Sequence, residues 1–181
     1  MRRLIALLGI LCLLAACAHH MPAPAVALPP LRLAPAALGA PLAVQQRLHF
    51  EFGAQQRDLD ALLEVDAQEV RLAVQALGQS GVRLQWDGRE LRQQRAPWLP
   101  TAVRGERVLD DLQFALWPVE AVRGALPVDW RVVDDGHERS LSHAGTPWLV
   151  LTRESPDRLR LRNLAEGYAL EIQTVGGEPA P

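Results

Sequence analysis

Apolar and polar residues alternate along most of this chain, and that period of two constrains its fold more than any other feature. Leu48, Phe50 and Phe52 alternate with Arg47, His49 and Glu51. Leu59, Ala61, Leu63 and Val65 alternate with Asp58, Asp60 and Glu64; Val70, Leu72 and Val74 alternate with Glu69, Arg71 and Gln75. Val82, Leu84 and Trp86 continue the pattern up to a turn at Asp87-Gly88, and the chain returns along residues 89–95. Successive side chains of a strand point to opposite faces, so each stretch reads as a strand with one apolar face. The short connections make neighbouring strands antiparallel.

The period changes once. Val108, Leu109, Leu112 and Leu116 stand at helical spacing, Pro118 ends that helix, and a second short one follows through Val119, Val122 and Leu126 to Pro127. Strands resume over residues 128–132, 137–142, 148–153, 158–162 and 168–174, with a turn at Asp135-Gly136. The pattern predicts a mainly β (α+β) fold: a curved antiparallel open β-barrel of about ten strands with a short two-helix insert. A sheet that is apolar on one face must curl over that face or be covered.

The N-terminus carries a different signal. Met1-Arg2-Arg3 precedes an uncharged stretch from Leu4 to Leu14, and the run Leu14-Ala15-Ala16-Cys17 follows. This resembles the lipobox of a bacterial lipoprotein signal peptide. The apolar stretch is of signal-peptide length, well short of the ~20 residues that span a bilayer. The resemblance implies cleavage before Cys17, a diacylglyceryl group on its thiol, and a mature protein tied to a membrane by acyl chains; the alternative is a plain secretory signal cleaved after Ala18. The expected organisation is a signal peptide over 1–16, an anchored Pro/Ala-rich tether over 17–42, a barrel domain over 43–175 and a tail over 176–181. Loss of Arg2 and Arg3 would take the formal net charge from −2 to −4, which disfavours nucleic acid as a partner. Cys12 would leave with the leader and Cys17 would be acylated, so no thiol would remain for a disulfide or a metal.

Several stretches in a fixed order carry a wider resemblance. Ala76-Leu77-Gly78-Gln79 resembles the Pro-Leu-Gly segment after the third strand of LolB, and the whole pattern resembles the LolA/LolB-type lipoprotein-carrier fold. Leu63-Glu64-Val65-Asp66, Trp86-Asp87-Gly88, Leu112-Gln113-Phe114-Ala115-Leu116-Trp117-Pro118 and Leu159-Arg160-Leu161-Arg162-Asn163 are similar to a family of short bacterial outer-membrane lipoproteins of unknown function. Some members of that family are encoded beside aryl polyene or fatty-acid-like biosynthesis genes. The resemblance implies an open barrel whose apolar interior holds acyl chains, and it makes Leu77 the match to an exposed leucine with which LolB helps deliver lipoproteins. Ala76 stands where LolB has proline, and no run of apolar residues marks a protruding cluster. Ala18 after the cysteine, in place of aspartate, implies the periplasmic face of the outer membrane. The expected function is binding or transfer of an acyl chain, a lipid or a lipoprotein anchor by a monomer, with no cofactor. The alternative is a structural or assembly lipoprotein that docks a protein partner.

Trp86, Phe114, Trp117, Trp130 and Trp148 are the candidate ligand-binding residues for a cavity or its lid; the alternative is that they fill a core. Trp98 and Leu99, with Leu77, are candidate membrane contacts; the alternative for Trp98-Leu99 is a plug in one end of the barrel. Arg158, Arg160 and Arg162 read as a solvated strand face. No catalytic group is expected: no Gly-x-Ser-x-Gly elbow frames Ser140 or Ser142 near Asp135 and His143. His49, His137 and His143 lack metal-ligand spacing. Asp110-Asp111 and Asp134-Asp135 are adjacent, so each pair is expected to point apart.

Overall fold

The computed structural model describes residues 26–99 and 103–178. Cys17, the leader and the first part of the expected tether lie outside them. The described chain forms ten strands: β1 (Leu42–Phe52), β2 (Gln55–Val65), β3 (Val70–Ala76), β4 (Gln79–Trp86), β5 (Leu91–Arg95), β6 (Trp130–Asp134), β7 (Glu138–His143), β8 (Thr146–Ser155), β9 (Arg158–Asn163) and β10 (Tyr168–Glu178). Two helices, α1 (Gly105–Leu116) and α2 (Val119–Ala125), connect β5 to β6. The expected fold class is the observed one.

All ten strands belong to one antiparallel sheet in the order β5-β4-β3-β2-β1-β10-β9-β8-β7-β6. Every neighbouring pair is a hairpin except β1 with β10, which joins the two halves in the middle (Phe52 opposite Tyr168, Ala43 opposite Glu178). β5 and β6 are the free edges, so the sheet curls but stays open. The helices enter at that gap, and the apolar face of α1 closes the concave side. β10 runs further than the alternation predicts, because Gly177 and Glu178 still pair with Val44 and Ala43.

The hairpins give the barrel two distinct ends. The upper end carries the turns at Gly53-Ala54, Leu77-Gly78, Ala144-Gly145 and 164–167, the loop after Arg95 and the segment before Trp130. The lower end carries the turns at 66–69, 87–90, 135–137 and 156–157. α1 begins at the upper end and finishes at the lower one, where Arg139 Nη1 donates to the carbonyls of Phe114 (2.6 Å) and Trp117 (2.7 Å).

Residues 28–38, part of the tether by composition, pack on the domain as an extended strap ending in a 3-10 turn at Pro35–Leu38. The prolines suit an extended backbone, but Leu31 is buried and Leu28 and Leu33 pack against the core. Side chains supply the partners that a sheet would otherwise give. Leu31 N–H donates to Asp110 Oδ1 (3.0 Å); the Gln113 amide accepts from Leu33 N–H (3.0 Å) and donates to its carbonyl (2.8 Å). Trp86 Nε1 donates to Leu33 O at 2.7 Å and Trp117 Nε1 to Ala34 O at 3.0 Å. Gln113 is fully buried, and stranding a buried partner costs about 1–3 kcal/mol. Gln113→Ala is therefore expected to release the strap, raising tryptic cleavage after Arg32 by roughly tenfold or more for the loss of such a bond. Limited proteolysis with mass mapping checks this; an unchanged rate at Arg32 refutes it.

Candidate functional site

A cavity of about 150 Å³ lies between α1 and the concave face of the sheet, reaching from the upper-end loop at Trp98 and Leu99 down to Leu116 and Leu159. Its walls are the inward residues of the alternating strands: Leu48 and Phe50 on β1, Leu59 and Ala61 on β2, Leu72 and Val74 on β3, Leu170 and Ile172 on β10. Leu159 and Leu161 on β9 continue them, and Val108, Leu112, Ala115 and Leu116 close the helix side. Period two on the strands meets period 3.6 on the helix, and the gap between the two is the void. Trp98 and Leu99 lie at its opening with Gln55, Arg57 and Arg104. The indole of Trp98 rests on β4 where Gly81 has no side chain; a Cβ there would stand 3.3 Å from the ring. Arg95 holds this loop, Nε donating to Val103 O at 2.8 Å and Nη2 to Leu99 O.

Polar groups interrupt the apolar wall. Gln46 is buried on an inward position of β1, where the pairing with β10 slips by one residue between Gln45 and Gln46. Arg107 and Asp111, one helical turn apart on α1, form a buried ion pair (Nε to Oδ1, 2.9 Å). Tyr168 donates its hydroxyl to Asp111 Oδ2 and accepts from Asn163 Nδ2 at 3.0 Å. Burial pushes the Asp111 carboxyl up to about 6, against the opposing pull of Arg107. Burial, then the neighbouring Asp111 carboxylate, push the Tyr168 hydroxyl well above the usual phenol range. The adjacent aspartates do point apart: Asp111 faces the cavity and Asp110 faces the strap. Burial raises Asp110 as well, opposed by Arg107 and by the N–H of Leu31.

The aromatic candidates go elsewhere. None of Trp86, Phe114, Trp117, Trp130 or Trp148 is among the described residues lining the cavity. Trp86, Phe114 and Trp117 are buried in the packed lower half, where two indole N–H groups fasten the strap. Trp130 and Trp148 meet edge to face at 5.3 Å near the upper end, with the His143 ring 5.0 Å from Trp130. Leu77 is fully exposed at the tip of the β3–β4 turn, and Trp98 is 42% exposed. His143 pairs with Asp129 (2.8 Å), and Asp135 accepts the N–H groups of His137 and Glu138, so these residues and the serines form no continuous hydrogen-bonded chain. Alternation marked the apolar walls but missed Gln46, Arg107, Asp111 and Tyr168. The one available signal was an Arg and an Asp at i, i+4 on the helix.

A second concavity of about 450 Å³, on the outer face, is lined by Glu64, Arg71, Arg83, Gln85 and Arg92 among others. It is shallower, charged and more open to water, so the apolar cavity beneath α1 is the better candidate. Fold and site together define an open antiparallel β-barrel with a helix across its concave face and an apolar cavity beneath. The chain belongs to the family described as "Protein of unknown function (DUF3261)", whose model matches residues 43–176. No curated protein matches the chain.

Proposed function

We propose that the protein is a lipoprotein of the bacterial outer membrane, held by acyl chains on Cys17, that binds and passes on an acyl chain, a lipid or a lipoprotein anchor. The observation that carries this reading is the apolar cavity under the curled sheet. At about 150 Å³ it matches the voids that take a benzene-sized guest, and falls short of the ~300 Å³ at which drug-sized sites begin. It fits the end of one chain, not a whole diacyl lipid, and the remainder would lie across the opening beside Trp98. Transfer by differential affinity follows: the cavity takes a chain end from a donor and yields it to the bilayer, with no nucleotide or metal. The sheet with two helices is compatible with the LolA/LolB-type carrier fold. An assembly lipoprotein is the second reading, favoured by the packed lower half of the barrel, where Trp86, Phe114 and Trp117 fill the interior.

Native mass spectrometry of the full chain purified from membranes separates the two. The carrier reading expects a co-purified fatty acyl or phospholipid mass. Ala61→Leu fills the void from a buried wall position and is expected to cut that adduct at least tenfold. It should unfold within about 1.5 kcal/mol of wild type, because the added carbons enter existing space. A bare protein mass in both proteins would rule the carrier out. Radiolabelled palmitate should enter the wild type and not Cys17→Ala.

A further inference from the structure

The two ends of the barrel build most of their turns differently. The lower turns use aspartate. Asp66 accepts the N–H groups of Gln68 and Glu69, Asp87 those of Arg89 and Glu90, and Asp135 those of His137 and Glu138. With Glu69, Glu90 and Asp157 these turns hold six acidic residues against Arg89; Arg71 pairs with Asp66 and Glu69 and Arg92 with Glu90, which leaves the lower end acidic in net charge through Asp87, Asp135 and Asp157. Of the upper turns, the one at 164–167 is held the same way by an amide, Asn163 Oδ1 accepting the N–H of Glu166 (2.9 Å), whereas the turns at Leu77-Gly78 and Ala144-Gly145 have no such support. Leu77 (φ 50°) and Ala144 (φ 48°) hold the left-handed conformation in which asparagine, aspartate or glycine is favoured. Leu77 adds full exposure to that strain. Departures from local turn rules with no gain in packing mark places where a surface has another use.

Exposed apolar tips collect at the same end. Leu77 is 101% exposed, Val128 106%, Leu164 47% and Trp98 42%, and they come from four separate connections. Among the described turn residues of this end only Asp129 and Glu166 are acidic, and each is paired, with His143 (2.8 Å) and Arg104 (2.7 Å). The cavity opens among these connections. The described strap also points this way. Leu31 is bound at Asp110 and Leu33 at Gln113, so the strap runs parallel to α1 and its upstream end points toward the upper end.

From these observations we infer that the upper end docks on a lipid bilayer, with Leu77, Val128, Leu164 and Trp98 as a rim in the interface and the acidic end turned away. The cavity then opens into the leaflet that holds the anchor. Amphipathic tips of this kind sit at the level of the head groups, and the acidic turns are repelled by anionic lipid. The inference rests on the membrane anchoring proposed above, not on the carrier activity.

The test reconstitutes the full chain in phosphatidylethanolamine–phosphatidylglycerol vesicles doped with dibrominated phosphatidylcholine. A tryptophan introduced by Val128→Trp, away from the cavity lining, should add fluorescence that the bromines quench strongly; one introduced by Gln68→Trp in a lower turn should not be quenched. Leu77→Asn with Leu164→Ser should reduce the quenching at position 128 about twofold or more, since two of the four tips lose their apolar burial. The same pair should not lower the unfolding temperature, because asparagine tolerates the turn conformation. An unquenched probe at 128, equal quenching at 68, or quenching indifferent to the rim pair overturns the inference. Quenching that survives in Ala61→Leu while the acyl adduct is lost separates docking from cargo binding. Quenching with no adduct in any protein removes the carrier reading and leaves the docking.

Discussion

Replacing Arg139 with methionine is expected to cost about 3–5 kcal/mol, the range for stripping one partner from a buried ion pair. Arg139 is 5% exposed on the inward face of β7 and donates Nε to Asp134 Oδ2 at 2.6 Å. Its Nη1 also satisfies the carbonyls of Phe114 and Trp117 at the end of α1, and its guanidinium lies 5.9 Å from the Phe114 ring. One side chain therefore joins β7, β6 and the C-terminus of the helix, where a cation is favoured by the exposed carbonyl dipoles. Methionine preserves most of the packing, so the loss reports the charge and the hydrogen bonds. Urea denaturation followed by tryptophan fluorescence measures it, and Trp117 beside the site makes the signal local. The double variant with Asp134→Asn should recover part of the loss, because it removes the stranded carboxylate that Arg153 alone would still hold (3.0 Å). A single-variant loss under 1 kcal/mol would mean that water replaces the guanidinium freely.

The architecture was legible in the sequence because its signals are local. Leu63 and Val65, or Val82, Leu84 and Trp86, declare their shared face within a few residues, and the change of period at Val108 announces the insert. What was hidden lies on the wrong side of a binary pattern. Gln46, Arg107, Asp111, Gln113 and Arg139 are all buried, yet a polar letter reads as a solvent-facing one. Their partners are remote: Tyr168 and Asp111 are 57 residues apart, Gln113 and Leu33 80, Arg139 and Phe114 25. No local spacing encodes such pairings. The strap was obscured by its prolines, which suit a free tether and a docked extended chain equally. Of the tryptophans only Trp86 and Trp117 are buried, Trp130 and Trp148 are half-buried and Trp98 is exposed, because which part of the barrel is packed depends on the path of α1. The rim failed to show as a protruding cluster because Leu77, Trp98, Val128 and Leu164 stand singly in separate connections and meet only through the topology.

The second large effect is a stability optimum near pH 4, set by two aspartates shifted in opposite directions. Burial raises Asp134, but hydrogen bonds from Arg153 and Arg139 outweigh it and hold the carboxyl at about 2, from an ordinary 3.8. A depressed group stabilises the fold above its unfolded value, so this contribution, about 2 kcal/mol, is lost as pH falls from about 4 toward 2. Asp111 works the other way. Its folded value is about 6, so between about pH 4 and 6 the unfolded chain gives up a proton that the folded protein keeps. Stability then falls as pH rises through that window, by about 3 kcal/mol, and Asp110, raised by burial, adds in the same direction. Urea midpoints measured from pH 2 to 8 should trace both limbs. Asp111→Asn keeps an oxygen for Arg107 and should remove most of the upper limb while leaving the lower one. A wild-type midpoint that is flat or rising between pH 4 and 6 would show that Asp111 ionises freely in the fold. On the carrier reading proposed above, the same group would couple the site to its cargo, because Asp111 lies on the cavity wall. An apolar chain end seated there excludes water from the carboxyl, favours the protonated form further and takes up a proton on binding. By linkage the chain should bind more tightly at pH 5 than at pH 8, and in Asp111→Asn that difference should vanish.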